Sequence, residues 1–571
     1  MRYLVLAADY DGTLAANGRV ARTTIAALER VRASGRRLIL VTGRHLPDLK
    51  SVFPLLDRFQ RVVAENGGLL YDPANNEELM LCEAPPERLL AVLRDRGVPF
   101  VVGRTVIATW EPHQGTVIDA IRELGLDSQV IFNKGAVMVL PSAVNKGSGL
   151  GAALKSLSLS AHNVVGIGDA ENDHALLTSC ECGFAVANAL PALKERADVV
   201  THAADGAGVE ELIEQLLQDD LAQYDSRLQR HAISLGIVAG ADHQEIKIGP
   251  CRSSVMIAGA SASGKSTVAA SILEQLAAQQ YQFCLIDPEG DYENFAGALA
   301  FGTGKEPPDP VAVLNSLRSP DNSTVVNLLA IAVKERPEYF SQLLPKLIEL
   351  RTQTARPHWI VIDEAHHLLP TSWSPASSTL QSELGGMILI TVHPEQISTA
   401  ALIGVDVVVT TGPSASDTLR AFADRVQAEP PSVSVVPSQP GEALVWFRQQ
   451  SPEAILVKTR ETKAERRRHR RQYAEGDLPR ERSFFFSGPE SKLHLRAQNL
   501  NTFLQLAEGV DDETWLYHLR RRDYSKWFEQ AIKDRELAKE ASRVEQEWEQ
   551  PAAESRKKIK QVVETRYTVP A

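Results

Sequence analysis

The 571-residue chain is too long for a single hydrophobic core and has room for about three domains. With 44% apolar and 23% charged residues it has the make-up of a globular protein, which excludes wholesale disorder. Its net charge of −11 favours no polyanion overall, so nucleic-acid contact would need a local basic patch. Five cysteines are scattered, and Cys180 and Cys182, with one residue between them, lack zinc-knuckle spacing. No run of about 18 apolar residues occurs, so no membrane span is expected. The apolar stretch Leu4 to Ala8 is interrupted by Asp9 and Asp11, unlike a signal peptide, and a cytoplasmic location is the expectation.

From residue 1 to about 215, short apolar runs such as "RRLILVTG" and "NVVGIGDA" alternate with amphipathic helical stretches such as "TIAALERVRASG". This predicts a mostly parallel sheet with crossover helices. In "LVLAADYDGTL" an apolar strand ends in Asp9 and Asp11, and the two-residue period puts both carboxylates on one side of the strand end, where open α/β sheets bind ligands. Two close carboxylates repel phosphate unless a cation bridges them, so a phosphate site here requires magnesium and further acids. "VVGIGDAENDHALL" supplies them: Asp169 ends a strand and Asp173 opens a helix. Between these segments Thr42, in "LILVTGR", can hydrogen-bond a phosphoryl oxygen, and Lys146, in "PSAVNKGSGL", can neutralise developing charge.

Four such pieces in this order resemble the haloacid dehalogenase superfamily, and within it the Cof-like (type IIB) phosphatases, over about the first 215 residues. The resemblance implies an aspartyl-phosphate on Asp9, with Asp11 protonating the leaving group and then activating water. It implies magnesium held by Asp9, Asp11 through its backbone carbonyl, Asp169 and Asp173. It also implies a phosphoryl group held by Gly12, Thr42, Gly43, Arg44 and Lys146, with Asn172 in support. A carboxylate nucleophile splits one hard hydrolysis into two easier steps. Residues 82–141 resemble the α/β cap that Cof-like enzymes insert, with Arg104, His113, Asn133 and Lys134 as candidate substrate contacts.

Residues 216–236 are polar and predict a linker; a second α/β region follows, 237–475. "SVMIAGASASGKSTVAASILEQL" gives a strand, a GxxxxGKS/T loop and a helix. Gly259, Ala260, Ser261, Ala262, Ser263, Gly264, Lys265, Ser266 and Thr267 form the loop: its amides face phosphate, Lys265 reaches the outer phosphates and Ser266 can bind magnesium. "HWIVIDEAHHLLP" ends a strand in Asp363, suited to the magnesium shell, and Glu364, suited to orienting or deprotonating water. His366 and His367 are expected to be packing or surface residues.

This region resembles ATPases of the HerA/FtsK type. The resemblance implies Asp287 and Glu289 near ATP, a polar sensor at His393 or Gln396, and a homo-oligomeric ring in which Arg420 or Arg425 reaches a neighbour's nucleotide. "ERRRHRR", Glu465 to Arg471, suits nucleic-acid phosphates or a solvated helix. With Tyr473 the one aromatic beside it, the solvated helix is expected. Residues 476–571 predict a small, mainly helical module carrying Trp515, Leu516, Leu519, Trp527 and Phe528. It ends in a charged, solvated or frayed stretch broken at Pro551.

The expectation is therefore an α/β multidomain protein. It combines a magnesium-dependent phosphatase for a small phosphorylated metabolite, such as a sugar phosphate or phosphoglycolate, with an ATP-binding and ATP-hydrolysing domain. A phosphatase-kinase is the alternative; a kinase must keep water from the transferred phosphate, and a water-activating Glu364 works against that. An ATP-driven translocase or regulator with a secondary phosphatase is the other.

Overall fold

The computed structural model describes residues 1–133, 135–240, 243–250, 253–260, 263–374, 385–460, 462, 478, 480–532, 534–547 and 549–567. The chain forms two compact units, Met1–Arg460 and Glu461–Ala571.

The first unit contains two large sheets. An eight-stranded sheet runs in the order Val199–Val200, Cys182–Ala185, Val164–Gly168, Val5–Ala8, Arg37–Val41, Arg61–Ala64, Leu69–Asp72, Glu77–Met80. The first six strands are parallel, and each of the last two pairs antiparallel with the strand before it. The two-residue period separates its cores: Leu6 and Ala8 face Leu28, Val31, Leu212 and Leu216, while Val5 and Ala7 face Leu150 and Leu154. Each fully buried aliphatic side chain contributes about 1.5–3 kcal/mol. A small antiparallel sheet, Ser128–Asn133, Ala136–Pro141, Ile107–Trp110 and Val101–Val102, with the helices Glu87–Asp95 and Gln114–Glu123, forms the inserted cap.

The second sheet is twelve-stranded, and its centre reads Val407–Thr411, Val255–Gly259, Met387–Thr391, Trp359–Ile362, Phe283–Asp287, Ser323–Asn327, all parallel. Met256 and Ala258 pack against Phe340, Leu344 and Leu347 on one face; Val255 and Ile257 pack against Val268, Ile272 and Leu276 on the other. The antiparallel strands Glu442–Phe447 and Glu453–Lys458 close one side. Beyond them lies Ile233–Val238, so the stretch expected to be linker already supplies a strand to this sheet, because Ile233 and Leu235 are apolar at alternate positions.

The two sheets meet through the N-terminal ends of their strands. Asn163 Nδ2 donates to the carbonyls of Arg2 (3.0 Å) and Ala355 (3.4 Å). Buried Arg356 donates to the carbonyls of Ser158 and Arg318 at 3.1 Å each. Tyr281 Oη donates to Glu181 at 2.8 Å, and Ala355 joins the core that contains Val5, Leu150 and Val164.

In the second unit, a hairpin of Phe484–Phe486 and Leu495–Ala497 and five helices from Leu500–Gly509 to Ala552–Tyr567 enclose Phe503, Trp515, Tyr524 and Phe528. The final stretch is two helices, Arg535–Gln546 and Ala552–Tyr567, parted around Pro551. It is not merely solvated: Leu537, Ala541 and Val544, on one helical face, and Ile559 and Val563 are buried. The run Glu465 to Arg471 lies outside the described residues.

Candidate active site and nucleotide site

Asp9 directly follows the first strand and is buried. Lys146 opens the helix Lys146–Ser156, fixed by a capping box in which Asn145 accepts from Ser148 N. The helix start aims the buried Lys146 ammonium between two carboxylates, 2.6 Å from Asp9 Oδ1 and 2.5 Å from Asp173 Oδ1. Asp169 follows the strand Val164–Gly168, and its Oδ1 accepts from Thr13 Oγ1 at 3.1 Å. Asp173 Oδ2 accepts from the backbone N–H groups of Asp169 and Ala170 at 3.0 Å, so this residue also shapes the loop. Oxygens of Asp9, Asp169 and Asp173 lie within 4.8 Å of one another. Burial, and then the Asp173 charge, push Asp9 well above the usual carboxylate range. Burial works against the charge on Lys146, but Asp173 and Asp9 outweigh it and raise the ammonium above its ordinary value.

Asp11 sits at the rim, with both oxygens taken by Arg44: Nε to Oδ2 at 2.6 Å and Nη2 to Oδ1 at 2.7 Å. Arg44 also bonds Asp48 at 2.6 Å. Thr42 is fully buried after the strand Arg37–Val41, and its Oγ1 accepts from Arg44 N at 3.1 Å. The Gly12 carbonyl accepts from Asn188 Nδ2 at 2.8 Å. Asn172 Nδ2 donates to Asn66 Oδ1 at 2.9 Å, while Asn172 Oδ1 is buried with no hydrogen-bond partner among the described residues. The cap reaches this floor: a Cβ on Gly43 would come within 3.2 Å of Met138 Cε, and Ser128–Asn133 packs against Glu171–Asp173. Among the proposed cap contacts, Arg104 is largely exposed and 3.5 Å from Glu78, His113 precedes the helix Gln114–Glu123, and Asn133 ends its strand. Lys134 lies outside the described residues.

In the second sheet, the strand Val255–Gly259 leads through Gly264, at φ +104°, into the helix Lys265–Ala278, with Ser266 and Thr267 in its first turn. Gly264 suits that left-handed conformation because it has no Cβ. Lys265 Nζ donates to the Ala260 carbonyl at 3.0 Å, and Ser263 Oγ lies 2.6 Å from Thr411 Oγ1. Ser261 and Ala262 lie outside the described residues. Asp363 follows the strand Trp359–Ile362, and its Oδ1 accepts from Glu364 N at 3.0 Å. Glu364 is at φ +43°, with Oε2 3.4 Å from His366 Nδ1. The strand between the phosphate loop and Asp363 ends in Thr391, whose Oγ1 lies 3.1 Å from His366 Nδ1 and accepts from His393 N at 3.0 Å. The polar residue at that strand end is thus Thr391, whereas His393 turns outward to Glu395. His366 belongs to this constellation too, and burial, then His367 and His393, lower it to about 4. Asp287 accepts from the backbone N–H groups of Glu289, Asp291 and Tyr292, building its own loop, and burial lifts it to about 6. Arg420 lies 3.5 Å from Asp417, and Arg425 Nε donates to the Ile397 carbonyl.

Residues 6–105 and 118–213 match the haloacid dehalogenase-like hydrolase family. A phosphoglycolate phosphatase of Methanothermobacter thermautotrophicus is 33% identical over 221 residues, covering 37% of this chain and 98% of the relative. The chain belongs to the haloacid dehalogenase-like hydrolases. Phosphoglycolate phosphatase 2 of Saccharolobus solfataricus is 28% identical over 227 residues, 38% of this chain and 95% of the relative. A haloacid dehalogenase-like hydrolase from B. subtilis superposes with TM-score 0.33 and 18% identity, over 37% of this chain and 99% of its own. Residues 251–396 match an AAA domain.

This haloacid dehalogenase-like hydrolase is therefore a phosphatase of that superfamily carrying a separate AAA domain. Among the described residues, no helix is long and apolar enough to cross a membrane. Its carboxylate cluster fits a hard divalent cation: three buried acids face one ammonium, and such a cation would offset the burial and the Asp173 charge that raise Asp9. The nucleotide site fits phosphates, because Lys265 and the helix N-terminus carry the charge and N–H groups they need. Sequence reasoning missed Thr13, Asn66 and Thr391. Thr13 carried a signal, standing two residues beyond Asp11 in the same segment.

Proposed function

We propose that the hydrolase removes phosphate from a small phosphorylated metabolite of the phosphoglycolate or sugar-phosphate class, through an aspartyl-phosphate on Asp9, and that its AAA domain binds and hydrolyses ATP. The observation that carries the reading is the buried Lys146 ammonium between Asp9 and Asp173, with Asp169 and Asp173 beside the nucleophile. Asp9, Asp169 and Asp173 would hold magnesium, together with the Asp11 backbone carbonyl, and the ion would offset phosphate charge. Asp9 attacks phosphorus; Asp11 then protonates the leaving oxygen and later takes a proton from water. Lys146, Thr42 and the Gly12 and Gly43 backbone hold the phosphoryl oxygens, and Asn172 supports them. The names of these two relatives support phosphoglycolate as the first substrate to test.

In the AAA domain the loop from Gly259 to Thr267 cradles the phosphates, Ser266 and Asp363 serve magnesium, and Glu364 orients the attacking water. The Glu364 carboxylate beside His366, whose Nδ1 also meets Thr391, supports hydrolysis over phosphoryl transfer to another substrate. The HerA/FtsK likeness supports a homo-oligomeric ring.

Phosphate release from a panel of phosphorylated metabolites in magnesium, with ATPase activity assayed in parallel, tests both halves. Asp9→Asn is expected to abolish release from the ester while leaving ATP hydrolysis in place, and Glu364→Gln to do the reverse with ATP binding kept. Ester hydrolysis surviving in Asp9→Asn would overturn the nucleophile.

A further inference from the structure

The junction between the two sheets holds a second cluster of metal-ligating side chains that neither activity uses. His162 lies in the turn Ala161–Asn163, Glu181 directly precedes the strand Cys182–Ala185, and His231 precedes Ile233–Val238. We propose that His162 Nδ1, Glu181 Oε2 and His231 Nε2 bind a transition-metal ion of the zinc type.

His162 Nε2 lies 2.7 Å from the Gln279 carbonyl, which only accepts, so Nε2 carries a hydrogen. In the neutral ring Nδ1 then presents a lone pair, and it faces Glu181 Oε2 at 2.7 Å. Two acceptors at that distance need a positive centre between them, either a proton or a metal ion. The third ligand favours the metal: His231 Nε2 is 4.0 Å from the same oxygen, and the ligand atoms all lie within 4.8 Å of one another. The imidazoles meet edge-on at 89°, so they approach the shared oxygen from different directions.

Tetrahedral zinc with bonds of about 2.0–2.1 Å sets its ligands about 3.3 Å apart. The His162–Glu181 contact would open by about 0.6 Å and His231 would close in by about 1.5 Å at most. Outer partners are in place. The Gln279 carbonyl fixes the His162 tautomer, Arg2 bonds Glu181 Oε1 at 2.5 Å, and Tyr281 Oη donates to Oε2 at 2.8 Å. His231 is partly exposed, which gives the ion an entry path and a water for its fourth position. Cys180, by contrast, points at Gly166 and takes no part. A bound ion would tie the segment entering the second sheet to the strand ends of the first.

Cobalt(II) titration of the full chain, followed in the visible region, with zinc content after gel filtration, tests the site. The expected result is one equivalent of metal and a tetrahedral cobalt spectrum, retained in Asp169→Asn. In His231→Ala the affinity falls by at least the roughly 10–100-fold that outer-shell partners alone carry. In His231→Cys the metal stays and a thiolate-to-cobalt charge-transfer band appears in the near ultraviolet. No metal retained, a spectrum indifferent to His231→Ala, or a folded His231→Cys without the new band would overturn the proposal and leave a proton between His162 and Glu181.

Discussion

The Arg44–Asp11 pair decides how the proposed acid is held before substrate arrives. Both Asp11 oxygens accept from Arg44, so neither can reach a leaving-group oxygen in this arrangement. An incoming phosphoryl group offers the guanidinium a competing anion with matching fork geometry, and taking it would release Asp11. Lysine keeps the charge but loses the fork. Arg44→Lys is therefore expected to forfeit about 1.5–3 kcal/mol of charged hydrogen bonding, a fall of roughly ten- to a hundredfold in kcat/KM, carried mainly by KM. Steady-state kinetics on the best substrate check this; an unchanged KM would mean that Arg44 never leaves Asp11 for the phosphoryl group.

At the scale of elements, the turn Glu65–Gly67 positions the Lys146 helix. Gly67 has φ +105°, and a Cβ there would lie 2.0 Å from the Asn145 carbonyl oxygen, at the helix cap. A Cβ on Gly149, one turn into the helix, would lie 2.5 Å from Val63 Cγ1 and 2.6 Å from Gly67 Cα. Gly67→Ala must push back the backbone that places Lys146, whereas Gly35→Ala, at φ +87° with open space around it, bears only the conformational cost. The expected losses are about 3 kcal/mol or more for Gly67→Ala, with phosphatase activity, and about 1 kcal/mol for Gly35→Ala, with activity kept. Denaturant midpoints and kcat on the two variants separate these outcomes. The same turn shows why part of the site was legible in sequence and part was not. Asp9, Asp169 and Lys146 were legible because each ends an apolar strand or starts a helix, where open sheets bind ligands. Asn66 and Thr391 gain meaning only from partners far along the chain, Asn172 and His366, and no local pattern announces them. His231 falls within the predicted linker for the same reason, since its neighbours Glu181 and His162 come from the first sheet.

Across the first unit, the two sheets join at the N-terminal ends of their strands, while Asp9 and Asp169 on one and Asp363 and Thr391 on the other lie at the C-terminal ends. Both sites therefore face away from the seam, and a product of one has no direct route to the other. Stability is the quantity they share. Ala355 is buried in the phosphatase core, and Arg356 is tied to carbonyls on both sides with burial lowering its guanidinium to about 10. Unfolding of the AAA domain would strip that cover from the phosphatase strand ends. A ligand that binds only the folded AAA domain should then protect the phosphatase, by about 2.7 kcal/mol at a hundredfold excess over Kd. A non-hydrolysable ATP analogue is expected to raise the temperature at which ester hydrolysis is lost by a few degrees. Arg356→Ala, which leaves the Ser158 carbonyl without this donor, should shrink that shift while analogue binding persists. If phosphatase inactivation ignores the analogue while the AAA domain itself is protected, the seam does not transmit stability and the two domains unfold independently.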